Sequence, residues 1–210
     1  MQLIGMLDSP YVRRVAISLQ FLGLPFEHRA LSVFRTFDEF RSINPVVKAP
    51  SLVCDDGEVL MDSTLILEYA EHRAAPGKTL MPRDPSAFQH AIRVIGLALA
   101  ACEKSVSILY EHEHRPEEKR HEAWLSRVTG QLHAACKALE SEMATRPLAV
   151  TRDEIDQAGI ATAVSWYFIQ HMIPGVVDPG SHPRLEEYSA MAEQLPEFKA
   201  APYGLTEMGA

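Results

Sequence analysis

Ser9-Pro10-Tyr11 stands where a strand-like run gives way to a helical one, which places a hydroxyl beside backbone N–H groups at a helix start. Proline suits the first helical position because the N–H it lacks has no intrahelical partner there, so Ser9 is predicted as the N-cap. Its hydroxyl then has two uses. It either caps the helix, for about 0.5–2 kcal/mol, or joins the amides of Tyr11 and Val12 and the positive helix end in holding an anion. A second run, Asn44-Pro45-Val46-Val47-Lys48-Ala49-Pro50, ends in a proline that enters a predicted strand, although proline donates no ladder hydrogen bond. A cis Ala49–Pro50 bond would turn the Ala49 backbone outward to pair with a bound peptide. The ordinary reading is a trans proline at a strand start, and residue type alone leaves both open. A third pair, Asp62-Ser63, opens a helical pattern, and either residue suits the cap. A serine beside helix-start amides suits a carboxylate and an aspartate suits an ammonium, so the pair matches the zwitterionic end of an amino acid.

Other reactive residue types read as structural. His112, His114 and His121 lie in a charged, proline-containing stretch, and alternate-residue spacing on a helix points two ligands apart, so a solvated turn is expected and no metal site. Cys54, Cys102 and Cys136 follow no CxxC spacing, are odd in number, and read as small buried hydrophobes in a reducing compartment. Trp166, Tyr167, Phe168 and Met172 recur at helical spacing and are expected in a core.

The elements that must hold these residues change character near residue 75. Before it, short strand-like runs are expected over 2–7, 24–31, 51–54 and 58–61, with Asp55-Asp56-Gly57 as the hairpin turn. Helices are expected over 10–22, ended by Gly23, 36–41 and 64–73. The order is β-α-β-α-β-β-α, with a parallel start and an antiparallel end. After it, every periodic segment is helical: 85–113, 116–143, a strongly apolar 156–172, and 183–194, followed by a loose tail. Pro76, Pro82 and Pro85 interrupt any helix across the joint. The expected division is 1–75, a linker over 76–85, and 86–210.

Composition bounds the function. The 210 residues are 47% hydrophobic and 23% charged, with 20 Lys and Arg against 28 Asp and Glu for a net charge of −8. No basic stripe is present, so nucleic acid is an unexpected partner. The uncharged apolar stretch from Val94 to Cys102 falls far short of the roughly 20 residues a bilayer requires, no export signal is visible at the start, and the expected setting is the cytoplasm, with no membrane partner.

The three motifs, in this order and ahead of an all-helical half, resemble the cytosolic glutathione S-transferase family, in particular bacterial and serine-type members that begin Ser-Pro-Phe/Tyr. The resemblance spans essentially the whole chain and is most specific over 44–63. It implies a thioredoxin-like α/β first domain that holds glutathione and an all-α second domain that completes a pocket for a small hydrophobic electrophile, in a homodimer. Ser9 would donate to the glutathione sulfur. The Ala49 backbone beside a cis Pro50 would hold the cysteinyl unit, Asp62 with Ser63 the γ-glutamyl end, and Lys48, with Arg35 a further candidate, the glycine carboxylate. Tyr11 and Val12, together with Tyr110 and His114 at the end of the first long helix, would line the electrophile pocket. Glutathione is the implied co-substrate, without a metal.

Departures from the family pattern accompany the likeness. Val47-Lys48-Ala49 stands where Gly-Lys-Val or Gly-Arg-Val is usual, and Asp62 replaces a longer Glu, which implies a looser ammonium contact. The family's Ser/Thr-x-x-Asp capping box aligns with Asp156-Gln157-Ala158-Gly159, keeping the cap acceptor and losing the reciprocal carboxylate. Thr151-Arg152-Asp153-Glu154 is a rival box one turn earlier. The implied activity is glutathione transfer. The alternatives are a non-catalytic binding or regulatory protein on the same scaffold, or a glutathione-dependent isomerase, peroxidase or oxidoreductase. A serine in place of the cysteine of the disulfide-exchanging classes argues against thiol-disulfide chemistry.

Overall fold

The structure is a computed structural model that describes residues 1–204. It divides into two compact units, Met1–Leu80 joined by the chain from Pro196, and Met81–Leu195. In the first, β1 (Gln2–Ile4), α1 (Pro10–Leu22), β2 (Glu27–Arg29), α2 (Phe37–Ile43), β3 (Ser51–Val53), β4 (Val59–Met61) and α3 (Ser63–Arg73) succeed one another. The sheet order is β2-β1-β3-β4, with β1 parallel to β2 and antiparallel to β3, and β3 antiparallel to β4.

The element order matches the expectation, and the strands are shorter than expected. Alternation of apolar side chains extends beyond β1, but Gly5 leaves the ladder with φ +139°. Proline-led 24–26 likewise stays outside β2. Leu3, Ile4, Val15, Leu19, Leu52 and Ile66 are buried between the sheet and its helices. A second apolar cluster of Ile4, Leu31 and Phe40 anchors the stretch between β2 and α2. Gly23 closes α1 in the left-handed conformation, its N–H bonding back to the last turn, which glycine adopts without a Cβ clash.

The second unit is all-helical: α4 (Pro85–Glu113), α5 (Glu122–Thr145), α6 (Gln157–Met172) and α7 (Pro183–Ala192). α4 packs against α5 and α6, and α6 against α7. The expected start of α5 at Pro116 is corrected to Glu122. A single 3-10 turn, Glu117–Lys119, intervenes, and the helix proper begins where His121 Nδ1 accepts the Trp124 N–H at 3.0 Å. Between α4 and α5 the buried Glu111 carboxylate accepts from Arg115 Nε at 3.0 Å and from the His121 N–H at 3.0 Å. The buried Glu111 carboxylate thus ties the end of α4 to the start of α5. Trp166 and Phe168 are buried, with Trp166 Nε1 donating to Glu186 at 2.8 Å. All three cysteines are buried and none forms a disulfide among the described residues, and burial pushes Cys136 up to about 12.

The helical domain expected to run to residue 210 stops at Leu195. The chain beyond it, expected as a loose tail, forms α8 (Pro196–Lys199) and docks on α1; residues 205–210 lie outside the described residues. The cause is a cation in the core. Arg13, 1% exposed, donates through Nε to the Ala201 carbonyl at 2.9 Å and lies over the Phe198 ring. Gln20 adds a bond to the Glu197 carbonyl at 3.3 Å. No helix among the described residues is long and apolar enough to cross a membrane.

Candidate functional site

Ser9 occupies the N-cap position of α1 with extended backbone, and Pro10 is the first helical residue. Its carbonyl accepts the Arg13 N–H at 2.9 Å and its own N–H donates to the Met6 carbonyl at 3.1 Å, which fixes the turn. Among the described residues the Ser9 hydroxyl makes no capping hydrogen bond. The capping use of this serine is therefore not taken up. The first N–H groups of the helix that Ser9 opens have no intrahelical acceptor.

Ala49 and α1 are brought together through Gly5. A Cβ at Gly5 would stand 2.6 Å from Val12 Cγ2 and 3.2 Å from Ala49 Cβ, so only glycine lets the end of β1 pass between them. Val12, expected near an electrophile, is corrected: it is 0% exposed and packed into this contact. Its side chain is part of the core, and Tyr11 is half-buried beside it.

The Ala49–Pro50 bond is cis. Two buried polar residues, Asn44 and Ser51, hold the loop before it, a pairing that the sequence reading did not make. Asn44 Nδ2 donates to Ser51 Oγ at 2.8 Å, Ser51 Oγ donates to the Lys48 carbonyl at 2.7 Å, and the Val46 N–H donates to Asn44 Oδ1 at 3.0 Å. A buried network in which each member has partners fixes one backbone course. The available signal was Asn44 itself, a residue that bonds its own backbone two positions on.

Asp62 and Ser63 divide their roles. Asp62 caps α3, its Oδ1 accepting the Thr64 N–H at 2.9 Å, and its backbone has φ +75°, a sparsely populated region for a residue with a side chain. Its Oδ2 lies 3.7 Å from Lys48 Nζ. Aspartate is short enough to cap its own helix, which a glutamate at this position would overreach. Lys48 and Asp62, expected to meet opposite ends of a ligand, thus pair with each other here. Ser63 is the first residue of α3 and buried. Its Oγ accepts from Arg14 Nη1 at 3.3 Å, a partner to which the sequence reading gave no role.

Asp8, immediately before Ser9, was also overlooked. Burial raises its carboxyl above the ordinary value, opposed by Arg35 and by the backbone N–H groups of Ser9 and Asp8. Arg35 is exposed, and its N–H donates to Ser32 Oγ at 3.1 Å. At the far end of α4, Tyr110 is 42% exposed and meets the His114 ring edge-on at 5.1 Å.

The first unit therefore assembles one helix N-terminus with an uncommitted hydroxyl, a neighbouring cis-proline loop on a buried polar network, and a second helix start carrying a carboxylate and a serine. Helix-start amides and hydroxyls suit anionic groups, and a carboxylate suits an ammonium. A family model described as glutathione S-transferase, N-terminal domain, matches residues 3–78. The chain is 28% identical to an uncharacterised GST-like protein, YibF, of Escherichia coli K12, over 83% of this chain and 86% of that protein. It is similar to a glutathione transferase family member of Pseudomonas fluorescens Pf-5 solved with S-(propanoic acid)-glutathione, with 29% identity, 95% and 97% coverage, and a TM-score of 0.81. It is also similar to a Methylobacterium radiotolerans glutathione S-transferase in complex with glutathione sulfonate, with 27% identity, 100% and 98% coverage, and a TM-score of 0.88.

Proposed function

From the match of residues 3–78 to the glutathione S-transferase N-terminal domain and the likeness to solved glutathione transferases, with a thioredoxin-like first domain and a helical second domain, we propose that this chain is a member of that family, binds glutathione and activates its thiol for attack on small hydrophobic electrophiles. The observation that carries this reading is the Ser9 hydroxyl, which stands at the start of α1 without a capping bond among the described residues. A free thiol ionises near pH 8.5, so only a few per cent is thiolate at neutral pH, and the thiolate is the nucleophile. Lowering that value by about two units asks roughly 2.7 kcal/mol of preferential anion stabilisation. A hydrogen bond from Ser9 to the charged sulfur, at about 1.5–3 kcal/mol, with about 0.3–1 kcal/mol from the helix end, meets that requirement. The thiolate forms a carbon–sulfur bond as the leaving group departs, and no protein base is needed because the thiol proton has already gone to solvent. The S-(propanoic acid)-glutathione and glutathione sulfonate held by the two similar solved proteins support the ligand.

In this reading the Ala49 backbone pairs with the cysteinyl unit. Ser63 and the α3 amides take the γ-glutamyl carboxylate, and the Lys48–Asp62 pair opens to give Asp62 to the ammonium and Lys48 to the glycine carboxylate. Arg35, Tyr11, Tyr110 and His114 are assigned secondary contacts. The test is retention on immobilised glutathione together with conjugation of a chloronitrobenzene. Retention without turnover moves the protein to the non-catalytic class, and loss of both overturns the assignment. A Ser63→Ala variant is expected to raise the KM for glutathione about tenfold or more while kcat falls less than about threefold, since grip on the γ-glutamyl end is equal in ground and transition states. An unchanged KM removes Ser63 from the site.

The protein is proposed to act as a homodimer in the cytoplasm. Three cysteines, odd in number and without CxxC spacing, suit that compartment. Apolar side chains support the dimer: Leu65, 60% exposed, with Met61 in the first unit, and Phe88 with Ile92 in the second, since isolated exposed apolar residues are ordinary and grouped ones mark interfaces. Leu65→Glu is expected to shift sedimentation from dimer to monomer at micromolar concentration, and a wild-type monomer refutes the proposal.

A further inference from the structure

Arg14 is a long cation placed where cations are rarely found, 3% exposed on the inner face of α1. Its Nη1 reaches across to the start of α3, 3.3 Å from Ser63 Oγ and 3.4 Å from Thr64 Oγ1, while its own carbonyl accepts the Ser18 hydroxyl at 2.7 Å. A guanidinium only donates, so both hydroxyl oxygens are acceptors toward it. This settles the direction of the Ser63 hydroxyl. With an oxygen lone pair taken by Arg14, its single proton is turned away from α1, and donation from a cation strengthens the hydroxyl as a donor in its turn. The Ser63 N–H, at the first position of α3, is among the amides with no intrahelical acceptor.

We propose that Arg14 is the positioning residue that makes this site selective for a ligand with a free α-carboxylate: it acts through Ser63, orienting and polarising the hydroxyl that receives that carboxylate. The inference rests on the glutathione reading above and deepens it, because it names the group on the γ-glutamyl unit that the site measures. It also ties the two helix starts together mechanically. α1, which carries Ser9 at its N-terminus, carries Arg14 one turn further on, so the thiol end and the carboxylate end of the ligand are referred to the same helix.

The test is calorimetric titration of the full chain with two ligands, glutathione and its analogue in which the γ-glutamyl α-carboxylate is a carboxamide. Arg14→Met is expected to weaken glutathione about tenfold and the carboxamide analogue less than about twofold, because the lost interaction is with the carboxylate. In a Ser63→Ala background the same change is expected to cost less than about threefold, as required of a residue that acts through another. Arg14→Lys keeps the buried charge and loses the planar fork. It is expected to weaken glutathione about threefold and supplies the answer if the methionine variant does not fold. Equal weakening of both ligands shows a merely structural arginine and overturns the proposal, as does full multiplication of the Arg14 and Ser63 effects. If wild-type protein binds no glutathione, the functional reading itself fails and this inference with it; if wild type binds and both Arg14 variants match it, only this inference fails.

Discussion

Ser9→Ala is expected to lower glutathione-conjugating kcat by about one to two decades while leaving the helical content unchanged. The size comes from the anion stabilisation assigned to one hydroxyl: losing about 1.5–3 kcal/mol at the sulfur raises the thiol pKa by roughly one to two units. At neutral pH the thiolate population then falls in proportion. The structural side is equally definite, because the Ser9 hydroxyl makes no capping bond among the described residues and its removal takes nothing from α1. Two measurements separate the effects. The ultraviolet absorbance of bound thiolate, titrated with pH, should move to higher pH in the variant, and the pH–rate profile should move with it. An unshifted titration with reduced kcat would mean that the serine acts elsewhere in the cycle. Cys in place of Ser9 would keep a donor but a weaker one, and intermediate activity is expected.

The second large effect has a sign opposite to what the family pattern suggests. Restoring the acidic residue of the capping box, Gly159→Asp, looks like a stabilising repair of the α6 start. It is expected instead to destabilise the protein by about 3 kcal/mol, on the order of 10 °C in Tm. Asp156 already caps α6, its Oδ1 accepting the Gly159 N–H at 3.0 Å. Thr151-Arg152-Asp153-Glu154 forms only a turn closed by Thr151 Oγ1 on Glu154 at 2.7 Å. The space a side chain at 159 needs is taken by the Tyr188 hydroxyl and by Ile155 Cγ1 at 3.0 Å. Tyr188 is buried, its phenol donates to the Ala149 carbonyl at 2.8 Å, and burial, with Asp156 beside it, pushes its ionisation well upward. Displacing it breaks this bond and leaves the buried phenol without its acceptor. Thermal melts of Gly159→Asp and of Gly159→Ala with Tyr188→Phe decide the matter. The double variant should recover part of the loss, and a Gly159→Asp protein as stable as wild type would remove the steric account.

These two sites mark the boundary between what composition and order convey and what packing adds. Proline at a helix start, glycine at a helix end and 3.6-residue periodicity are local instructions, and they were enough for α1 and α4, whose observed bounds coincide with the expected ones. Ser9, the 44–50 loop and Asp62-Ser63 were legible because each is a local signal of a cap or a turn. The roles of Arg14, Ser51 and Asp8 beside these residues, and the tie from Asn44 to Ser51, were not legible. Each acquires its role from a partner distant in sequence or from burial, and neither is encoded in a residue's neighbours.

By itself, then, the amino-acid order determined the alternation of strands and helices in the first half, the helical second half, and the three motifs on which the proposed glutathione site is built. Tertiary structure alone decided that Ala49–Pro50 is cis, that Val12 belongs to the core, that the last segment returns to α1 on Arg13, and that Gly159 is occupied space rather than a missing carboxylate. The physical reason is range. Capping, propensity and periodicity act within about one helical turn, whereas steric exclusion and buried hydrogen bonds exist only once segments far apart in the chain have met.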